Sequence, residues 1–226
     1  MIYVTGDLHG GIDIHKLSMK EFPQQEEMTK QDYVIVLGDF GLIWNNEREE
    51  LFWRDWLLQR NFTTLFIDGN HENFDLLNKY PVELWNGGKI QKINDSIFRL
   101  MRGQIFRICD KKFFTMGGAS SIDKHNRIDG LSWWKEEIPN DEEFHEAIIN
   151  LDKYNDSVDF ILSHTCTNEI SEQIVYHHTK DKLTNFFSHY IEPTVNYNHW
   201  YFGHLHDDIE IDDRHTLLYD KIIKIV

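Results

Sequence analysis

Cysteine and long apolar runs are both scarce in this sequence. Its two cysteines, Cys109 and Cys166, are too few for the disulfide framework of a small secreted domain. No apolar run approaches the roughly 20 residues that a membrane-spanning helix needs. Met1 leads directly into a strand-like stretch, without the charged and apolar segments of a secretory signal. We therefore expect a cytoplasmic protein that does not enter a membrane.

Positive charge is also scarce, because 23 basic residues stand against 38 acidic ones and the formal net charge is −15. An excess of negative charge opposes the counterion release that drives binding to nucleic-acid backbones. The composition therefore argues against extended nucleic acid as a partner.

The residues that are abundant fit one globular domain across residues 1–226. Hydrophobic residues make up 41% of the chain and aromatic residues 14%, which is enough for a sizeable core. The sequence contains neither an internal repeat nor a low-complexity tract. A division into two domains would also separate the polar motifs that follow the predicted strands.

Five strand-like apolar runs each end in polar side chains. The runs are residues 2–5, 34–37, 64–67, 160–162 and 200–202, and they lead into Gly6-Asp7-Leu8-His9, Gly38-Asp39, Gly69-Asn70-His71, Ser163-His164 and Gly203-His204-Leu205-His206. Residues at i and i+2 lie on one side of an extended segment, so the first and last motifs can each present two ligands together. Histidine and aspartate converging from several strand ends predict a metal site.

Helical patterns alternate with these runs. Helices are predicted at residues 12–20, 47–60, 72–78 and 141–153, and over most of 168–190. In the second helix, Leu51, Phe52, Trp56 and Leu57 are expected to pack on the sheet. Short alternating runs between residues 90 and 116 predict antiparallel strands of a second sheet, and residues 209–225 predict two more strands. This alternation predicts an α/β fold with two facing mixed β-sheets flanked by helices.

The order of the motifs resembles the calcineurin-like metallophosphoesterases. The matching residues are Asp7-x-His9, Gly38-Asp39, Gly69-Asn70-His71-Glu72, His164 and Gly203-His204-x-His206, which span nearly the whole chain. One Gly-Asp pair is a weak signal, whereas five motifs in this order, each at a predicted strand end, are specific. The resemblance implies a four-layer α/β/β/α sandwich with the ligands gathered at one edge.

The resemblance also implies two divalent metal ions. One would be held by Asp7, His9, Asp39 and His206, and the other by Asp39, Asn70, His164 and His204. A carboxylate has two oxygens and can bind two cations, which suits Asp39 as the bridge. Nitrogen and oxygen donors without thiolate favour Mn, Fe, Zn, Ni or Co over calcium, and we expect manganese to support activity in vitro.

Other residues with metal-binding side chains are expected to have structural roles. Cys166, close to His164, is interpreted as a small buried neighbour because the hard donors already fill the family's positions. No spacing supports ligation by the remaining histidines, which are His15, His125, His145, His177, His178, His189, His199 and His215. Surface or packing roles are predicted for them.

The implied chemistry is hydrolysis of a phosphate ester. Two cations about 3.5–4 Å apart share a water, lower its pKa and stabilise charge on a phosphoryl group, so a bridging hydroxide would attack phosphorus in line. Asp39 and His71 would be the catalytic residues. His71 resembles the family's catalytic histidine, which protonates or stabilises the departing alkoxide. Two divalent cations against Asp7 and Asp39 leave a formal charge of about +2, which would attract a small anionic substrate.

Two positions differ from the phosphoprotein phosphatases of this superfamily. In that branch the Gly-Asp motif continues into valine-aspartate-arginine-glycine, whereas here Gly38-Asp39-Phe40 continues into Gly41-Leu42-Ile43-Trp44. An arginine precedes Gly-Asn-His-Glu in that branch, whereas Asp68 precedes Gly69 here. The partner acid and the phosphate-binding arginine are therefore missing, which weakens the interpretation as a protein phosphatase.

Residues 117–137 are a candidate substrate-binding segment. The segment contains Lys124, Arg127, Trp133 and Trp134, which could clamp a phosphate and stack on a flat group. The alternative is an ordinary loop whose tryptophans cover the core. The sequence leaves both interpretations open.

The leading hypothesis is a dinuclear-metal phosphoesterase that acts on a small phosphodiester or nucleotide. A Ser/Thr phosphoprotein phosphatase is the second hypothesis, and a nuclease is the third. A metal-binding scaffold without turnover is an alternative of a different class. The complete set of ligating and catalytic positions argues against the scaffold, because decayed sites usually show gaps.

Overall fold

Two β-sheets form the centre of the structure, a computed structural model that describes residues 1–176 and 179–226. The strands of the described chain are β1 (Ile2–Thr5), β2 (Tyr33–Leu37), β3 (Thr63–Ile67), β4 (Val82–Trp85), β5 (Gly88–Asn94), β6 (Ile97–Leu100), β7 (Gln104–Ile108), β8 (Lys111–Met116), β9 (Phe160–Ser163), β10 (His199–Phe202), β11 (Ile209–Glu210), β12 (His215–Leu217) and β13 (Ile222–Lys224). One sheet has the order β13-β1-β2-β3-β6-β5-β4 and the other β11-β12-β10-β9-β8-β7.

The helices are short and lie between these strands. The α-helices are α1 (Arg48–Leu58), α2 (Phe74–Leu77), α3 (Asp141–Asp152), α4 (Asn168–Ile174), α5 (Lys182–Phe186) and α6 (Glu192–Thr194). Single turns of 3₁₀-helix occur at Ile14–Leu17, Pro23–Glu27, Lys124–Asn126 and Lys135–Glu137, and a π-helical turn at Phe187–Ile191 follows α5. None of the helices described for this chain has the length and apolar content to cross a membrane.

Alternation along the strands sends side chains into three separate apolar clusters. Between the sheets, Val4 and Ile35 of the first sheet share a cluster with Leu162 of the second. On the outer face of the first sheet, β2 and β3 pack with α1 and α2. On the outer face of the second sheet, β9 and β10 pack with α3, α4 and α5. The layers are therefore helix, sheet, sheet and helix, which confirms the predicted four-layer sandwich.

The strands that precede the polar motifs are parallel neighbours. In the first sheet, β1 pairs with β2 and β2 with β3, all parallel. In the second sheet, β8, β9 and β10 are likewise parallel. Parallel neighbours end at the same edge of a sheet, so the loops after β1, β2 and β3 lie together, as do the loops after β9 and β10. All five predicted strand ends are confirmed.

Helix α1 packs on the first sheet through only part of the predicted face. Leu57 is fully buried and Trp56 packs against the same core cluster, but Leu51 and Phe52 are 48% and 59% exposed, so their assignment to the buried face was wrong. The buried face includes Arg54, whose guanidinium donates hydrogen bonds to Asn46 Oδ1 and Tyr80 OH. Because its N–H groups have hydrogen-bond partners, Arg54 can be buried on a helix face that looks polar in the sequence.

Several element boundaries also differ from the sequence prediction. Residues 12–20, which follow the loop after β1, contain only the 3₁₀ turn Ile14–Leu17 rather than a longer helix. The predicted helix over residues 168–190 is interrupted after Ile174, where Val175 has extended backbone angles. Residues 209–225 form three strands rather than two. Strands β5 and β6, predicted in the second sheet, belong to the first, and of the strands between residues 90 and 116 only β7 and β8 belong to the second. Strand β4 was missed, and its four residues lie largely exposed at the sheet edge.

Candidate active site

The two carboxylates at the ends of β1 and β2 lie beside one histidine from the other sheet. Asp7 and Asp39 are both buried. His164 Nδ1 lies 3.7 Å from Asp7 Oδ1, and His164 Nε2 lies 3.4 Å from Asp39 Oδ1. Residues from two sheets therefore meet at a single point, as the spacing of the motifs predicted.

The carboxylate of Asp39 lies between two sets of donor atoms. Its Oδ2 is 3.4 Å from His9 Nε2, whereas its Oδ1 is 3.4 Å from His164 Nε2. Each oxygen thus faces a different histidine. A carboxylate in this position is suited to binding two cations at once.

Further candidate metal-ligand atoms lie on each side of Asp39. On the His9 side, His206 Nε2 lies 3.1 Å from Asp7 Oδ2. On the His164 side, Asn70 Oδ1 lies 3.1 Å from His164 Nε2, and the rings of His164 and His204 are 4.9 Å apart. The structure therefore brings together every residue that the sequence suggested as a ligand.

Two buried carboxylate oxygens in this cluster have no hydrogen-bond partner in the described chain. Within the described chain, Asp7 Oδ2 and Asp39 Oδ2 accept no hydrogen bond, although imidazole nitrogens lie close to both. A buried, unpaired carboxylate oxygen is unfavourable unless a cation compensates it. Ligand atoms of Asp7, His9 and His206 lie within 4.8 Å of one another, and so do those of Asp7, Asp39 and His164. The donor set therefore fits divalent metal ions.

Four of these residues have left-handed backbone angles, with φ of 44° at His9, 43° at Asp39, 72° at His204 and 51° at His206. Such angles are strained for residues other than glycine and persist only where the surroundings impose them. The nearby glycines allow the loops that carry these residues to approach one another closely. A Cβ at Gly69 would overlap the Asp39 carboxylate.

Neighbouring groups orient the ligand side chains. Asp13 Oδ2 lies 2.8 Å from His9 Nδ1, and the Leu37 carbonyl lies 2.7 Å from His164 Nδ1. In both rings these contacts leave Nε2 directed toward the carboxylates. Asn70 donates from Nδ2 to Ser121 Oγ at 3.1 Å, which turns its Oδ1 toward His164.

Glu72 ties two of the ligand-bearing loops together. Its carboxyl group accepts hydrogen bonds from the backbone N–H of Phe40 at 2.7 Å and of Gly69 at 3.5 Å. Burial, with the charge of Asp39 adding to it, raises the pKa of Glu72 to about 8. The sequence placed Glu72 within a motif but indicated no role for it. Asp13, four residues after His9, was also overlooked.

Electrostatics keep the central carboxylates ionised. Burial alone would raise the pKa of Asp39, but the positive charge of His164 and the close contacts of His164 and His9 with its oxygens hold that pKa well below its usual range. Burial likewise opposes a lower pKa at Asp7, and His164 and His206 overcome it. The cluster therefore presents two carboxylates to any cation that enters.

His71 and Arg127 lie at the edge of this cluster. The backbone N–H of His71 donates to Asp39 Oδ1 at 2.7 Å, and Arg127 Nη1 lies 3.1 Å from His71 Nδ1. Burial, followed by the positive charge of Arg127, lowers the pKa of His71 despite the opposite effect of Asp39. Asp123 orients Arg127 by accepting a hydrogen bond from its Nε at 2.8 Å.

A cavity of about 430 Å³ opens beside the carboxylates and includes both His71 and Arg127 in its lining. Residues 120–123 form one wall, and Ile122, Val175 and Leu205 contribute apolar surface. The volume is within the range of small-molecule sites. A mostly polar lining that includes three apolar side chains suits an organic molecule that carries an anionic group.

The other candidate substrate-binding residues are not part of this lining. Trp134 is buried, donates from Nε1 to Asp75 Oδ2 at 2.9 Å and packs edge-on against Trp44. Trp133 is partly buried and Lys124 is exposed, both outside the cavity lining. The position of Trp134 agrees with the alternative in which the tryptophans cover the core.

The remaining histidines and Cys166 have the kinds of environment that the sequence suggested. His215 forms an ion pair with Asp212 at 2.9 Å, and His199 is 2.8 Å from Thr216 Oγ1. Cys166 is fully buried with its Sγ 3.2 Å from Ser171 Oγ, which confirms its interpretation as a small buried residue. His177 and His178 lie outside the described residues.

Comparison with known proteins gives one match that covers most of the chain. The sequence model of the family described as calcineurin-like phosphoesterase matches residues 1–208, which include the whole cluster around Asp39. The comparison with curated proteins gave no match. The fold, the donor set and this match agree. The chain therefore belongs to the calcineurin-like phosphoesterase family, and it is a metal-dependent phosphoesterase.

Proposed function

We propose that this protein hydrolyses a small phosphodiester or nucleotide with the help of two divalent metal ions. The observation that carries the proposal is the position of Asp39, whose two carboxylate oxygens lie 3.4 Å from His9 Nε2 and 3.4 Å from His164 Nε2. One carboxylate between two groups of donors is the arrangement needed for a dinuclear site.

The proposed ligands follow from the contacts around Asp39. The first ion would be held by Asp7, His9, Asp39 and His206, and the second by Asp39, Asn70, His164 and His204. The unpaired Oδ2 atoms of Asp7 and Asp39 support the first of these positions. Nitrogen and oxygen donors without thiolate suit Mn²⁺, Fe, Zn²⁺, Ni²⁺ or Co²⁺, and Mn²⁺ is the proposed ion for assays.

When bound, such ions lower the pKa of water and neutralise charge that develops on a phosphoryl group. His71 would then act on the leaving group. Arginine can only donate hydrogen bonds, and Arg127 Nη1 and Nη2 lie 3.1 Å from His71 Nδ1 and 3.4 Å from His71 Nε2. A ring N–H of His71 is the group that would donate to the departing oxygen.

Arg127 would bind a phosphate oxygen of the substrate. Its Nε donates to Asp123 and its Nη1 donates to the carbonyl of Ser132 at 3.3 Å, while Nη2 lies 3.4 Å from His71 Nε2 at the cavity. A guanidinium fixed in this way is pre-organised for a phosphate. The apolar side chains of Ile122, Val175 and Leu205 would contact the organic part of the ester.

A protein phosphatase remains the second hypothesis, and the surroundings of Asp68 do not favour it. Asp68 is buried between Arg99 and Arg102, at 2.8 Å and 2.6 Å from the nearest guanidinium nitrogens. The position before Gly69 therefore contributes no cation to the cavity. The phosphate-binding arginine of that branch has no replacement at this position.

A substrate panel tests the proposal. We expect Mn²⁺-dependent hydrolysis of bis-p-nitrophenyl phosphate, a cyclic nucleotide or a dinucleoside polyphosphate to exceed that of p-nitrophenyl phosphate and a phosphopeptide. Asp39→Asn, which removes the bridging charge with little change in size, is the control for contaminating activity. A higher kcat/KM for the phosphopeptide than for every diester would overturn the assignment.

A further inference from the structure

The turn formed by residues 218–221 lies beyond residues 1–208, which the family model matches. This C-terminal turn packs against the loop that follows β1. A Cβ at Gly6 would overlap the carbonyl of Leu218, so the two backbones approach as closely as glycine allows. A segment outside the matched region thus contacts the loop that carries Asp7 and His9.

Tyr219 in this turn contacts two of the clustered histidines. Its ring stacks on His206 with the centroids 4.8 Å apart and the planes inclined by 26°. Its hydroxyl donates to Asp13 Oδ2 at 3.2 Å, and the same oxygen lies 2.8 Å from His9 Nδ1. One side chain therefore restrains His206 directly and His9 through Asp13.

His206 needs such a restraint more than the other clustered residues do. Its side chain is 50% exposed, whereas that of Asp7, 3.1 Å away, is fully buried. An exposed imidazole can adopt other rotamers, and ordering it costs conformational entropy when it binds an ion. The stacked ring of Tyr219 reduces this cost by holding the imidazole beside Asp7.

The turn itself is anchored to the loops on either side of it. Asp208, close to His206, accepts hydrogen bonds from the backbone N–H of Tyr219 at 2.9 Å and of Lys221 at 3.1 Å. The buried Lys16 donates to the carbonyl of Tyr219 at 2.6 Å and to that of Asp7 at 2.5 Å. Tyr219 is therefore held in a fixed position relative to both histidines.

We infer that Tyr219 is a positioning residue for the ion proposed to bind Asp7, His9, Asp39 and His206. It strengthens the binding of this ion and not that of the other ion. The inference rests on the proposed function. The contacts of Tyr219 are with the His9 and His206 side of the cluster, whereas Asn70 and His164 belong to the other side. Groups that orient metal ligands typically change metal affinity by about 10- to 100-fold.

Titration of the metal-free, full-length protein with Mn²⁺ tests the inference. Isothermal titration calorimetry would give both affinities, and electron paramagnetic resonance would report formation of the spin-coupled pair. We expect Tyr219→Leu to weaken one of the two ions by about tenfold or more and to leave the other unchanged. Tyr219→Phe keeps the stacked ring and removes the hydroxyl, so its loss of affinity should be smaller.

Activity as a function of Mn²⁺ concentration provides a second readout. Tyr219→Leu should lose activity at limiting Mn²⁺ and recover it at saturating Mn²⁺, at a temperature where circular dichroism shows the metal-free variant to be folded. Tyr190→Leu is the matched control, because Tyr190 is also partly exposed and stacks on Phe186 at 5.3 Å in another layer. Both Mn²⁺ affinities should be unchanged in this control.

The outcomes separate this inference from the proposed function. Unchanged affinities in Tyr219→Leu, or equal weakening of both ions, would overturn the role of Tyr219. If the leucine variant failed to fold, unchanged Mn²⁺ affinities in Tyr219→Met, which also removes the stacked ring, would overturn it. A wild-type protein that bound no Mn²⁺ would overturn the proposed function, and this inference with it.

Discussion

At the scale of single residues, the position of His71 suits a role at the leaving group. It lies beside Asp39 and lines the cavity. In the proposed mechanism it is not a metal ligand, so its removal should affect the chemical step without releasing the ions. A variant at this position therefore separates proton transfer from metal binding.

We expect His71→Asn to lower kcat by about 10²- to 10⁴-fold, because general acid catalysis contributes on this scale. Bound metal should remain at the wild-type level. Steady-state kinetics with bis-p-nitrophenyl phosphate and elemental analysis of the purified protein measure the two quantities. Loss of an ion together with activity would show that His71 is a ligand instead.

Arg127 is the residue proposed to contact the phosphate. Removing a charged hydrogen-bond donor should cost Arg127→Ala about tenfold or more in kcat/KM, with metal content unchanged. Lys135→Ala, which removes an exposed cation outside the cavity lining, serves as the control. Equal kinetics for wild type and Arg127→Ala would refute the contact.

At the scale of secondary-structure elements, the loops that carry the site depend on buried polar contacts. Asp68, at the end of β3, is bound by Arg99 of β6 and by Arg102, which also donates to the carbonyl of Glu136 at 2.7 Å. Burial raises the pKa of Asp68, but Arg102 and Arg99 outweigh it and lower the pKa. This network fixes the start of the loop that carries Asn70.

Asp68→Ala should lower the free energy of unfolding by roughly 3–5 kcal/mol, because it leaves two buried guanidinium groups without their common partner. Urea denaturation monitored by tryptophan fluorescence measures the change. Asp95→Ala is the control, since Asp95 is 89% exposed and its ion pair with Lys92 is screened by solvent. A loss in Asp68→Ala no greater than in the control would contradict this role.

At the scale of the whole molecule, the site joins the two sheets. Asp7 and Asp39 follow strands of the first sheet, and His164 and His204 follow strands of the second. An ion that binds residues from both sheets can bind only the folded chain. Its binding free energy therefore adds to stability.

We expect Mn²⁺ to raise the thermal unfolding midpoint by several degrees and a chelator to reverse the effect. Asp39→Asn should abolish most of this increase, because it removes the charge that lies between the two groups of ligands. Differential scanning calorimetry measures the midpoints. An equal Mn²⁺ effect in both proteins would argue against binding at Asp39.

The strand ends were predictable from the sequence because their signals are local. An apolar run followed by glycine and a polar residue marks the end of a buried strand, whatever the rest of the chain does. The order of five such ends also indicated the family and the layers of the fold. The ligand and catalytic roles of these residues stay predictions that the proposed experiments test.

Features that depend on contacts between distant segments were not predictable in the same way. Periodicity placed Phe52 on the buried face of α1, whereas the structure buries Arg54, because Asn46 and Tyr80 supply its partners. The sequence also gave Trp134 two possible roles, and its hydrogen bond to Asp75 places it in the core. Burial of a side chain depends on what lies opposite it.

The sequence by itself determined which residues stand at the ends of the strands, because alternation and glycine placement act within a few residues. Only the tertiary structure decided which groups orient those residues. The contacts of Glu72 with the loop after β2, and of Tyr219 with His206, join segments that are far apart along the chain. Such contacts leave no periodic pattern, since they arise only when the two sheets pack and their loops meet.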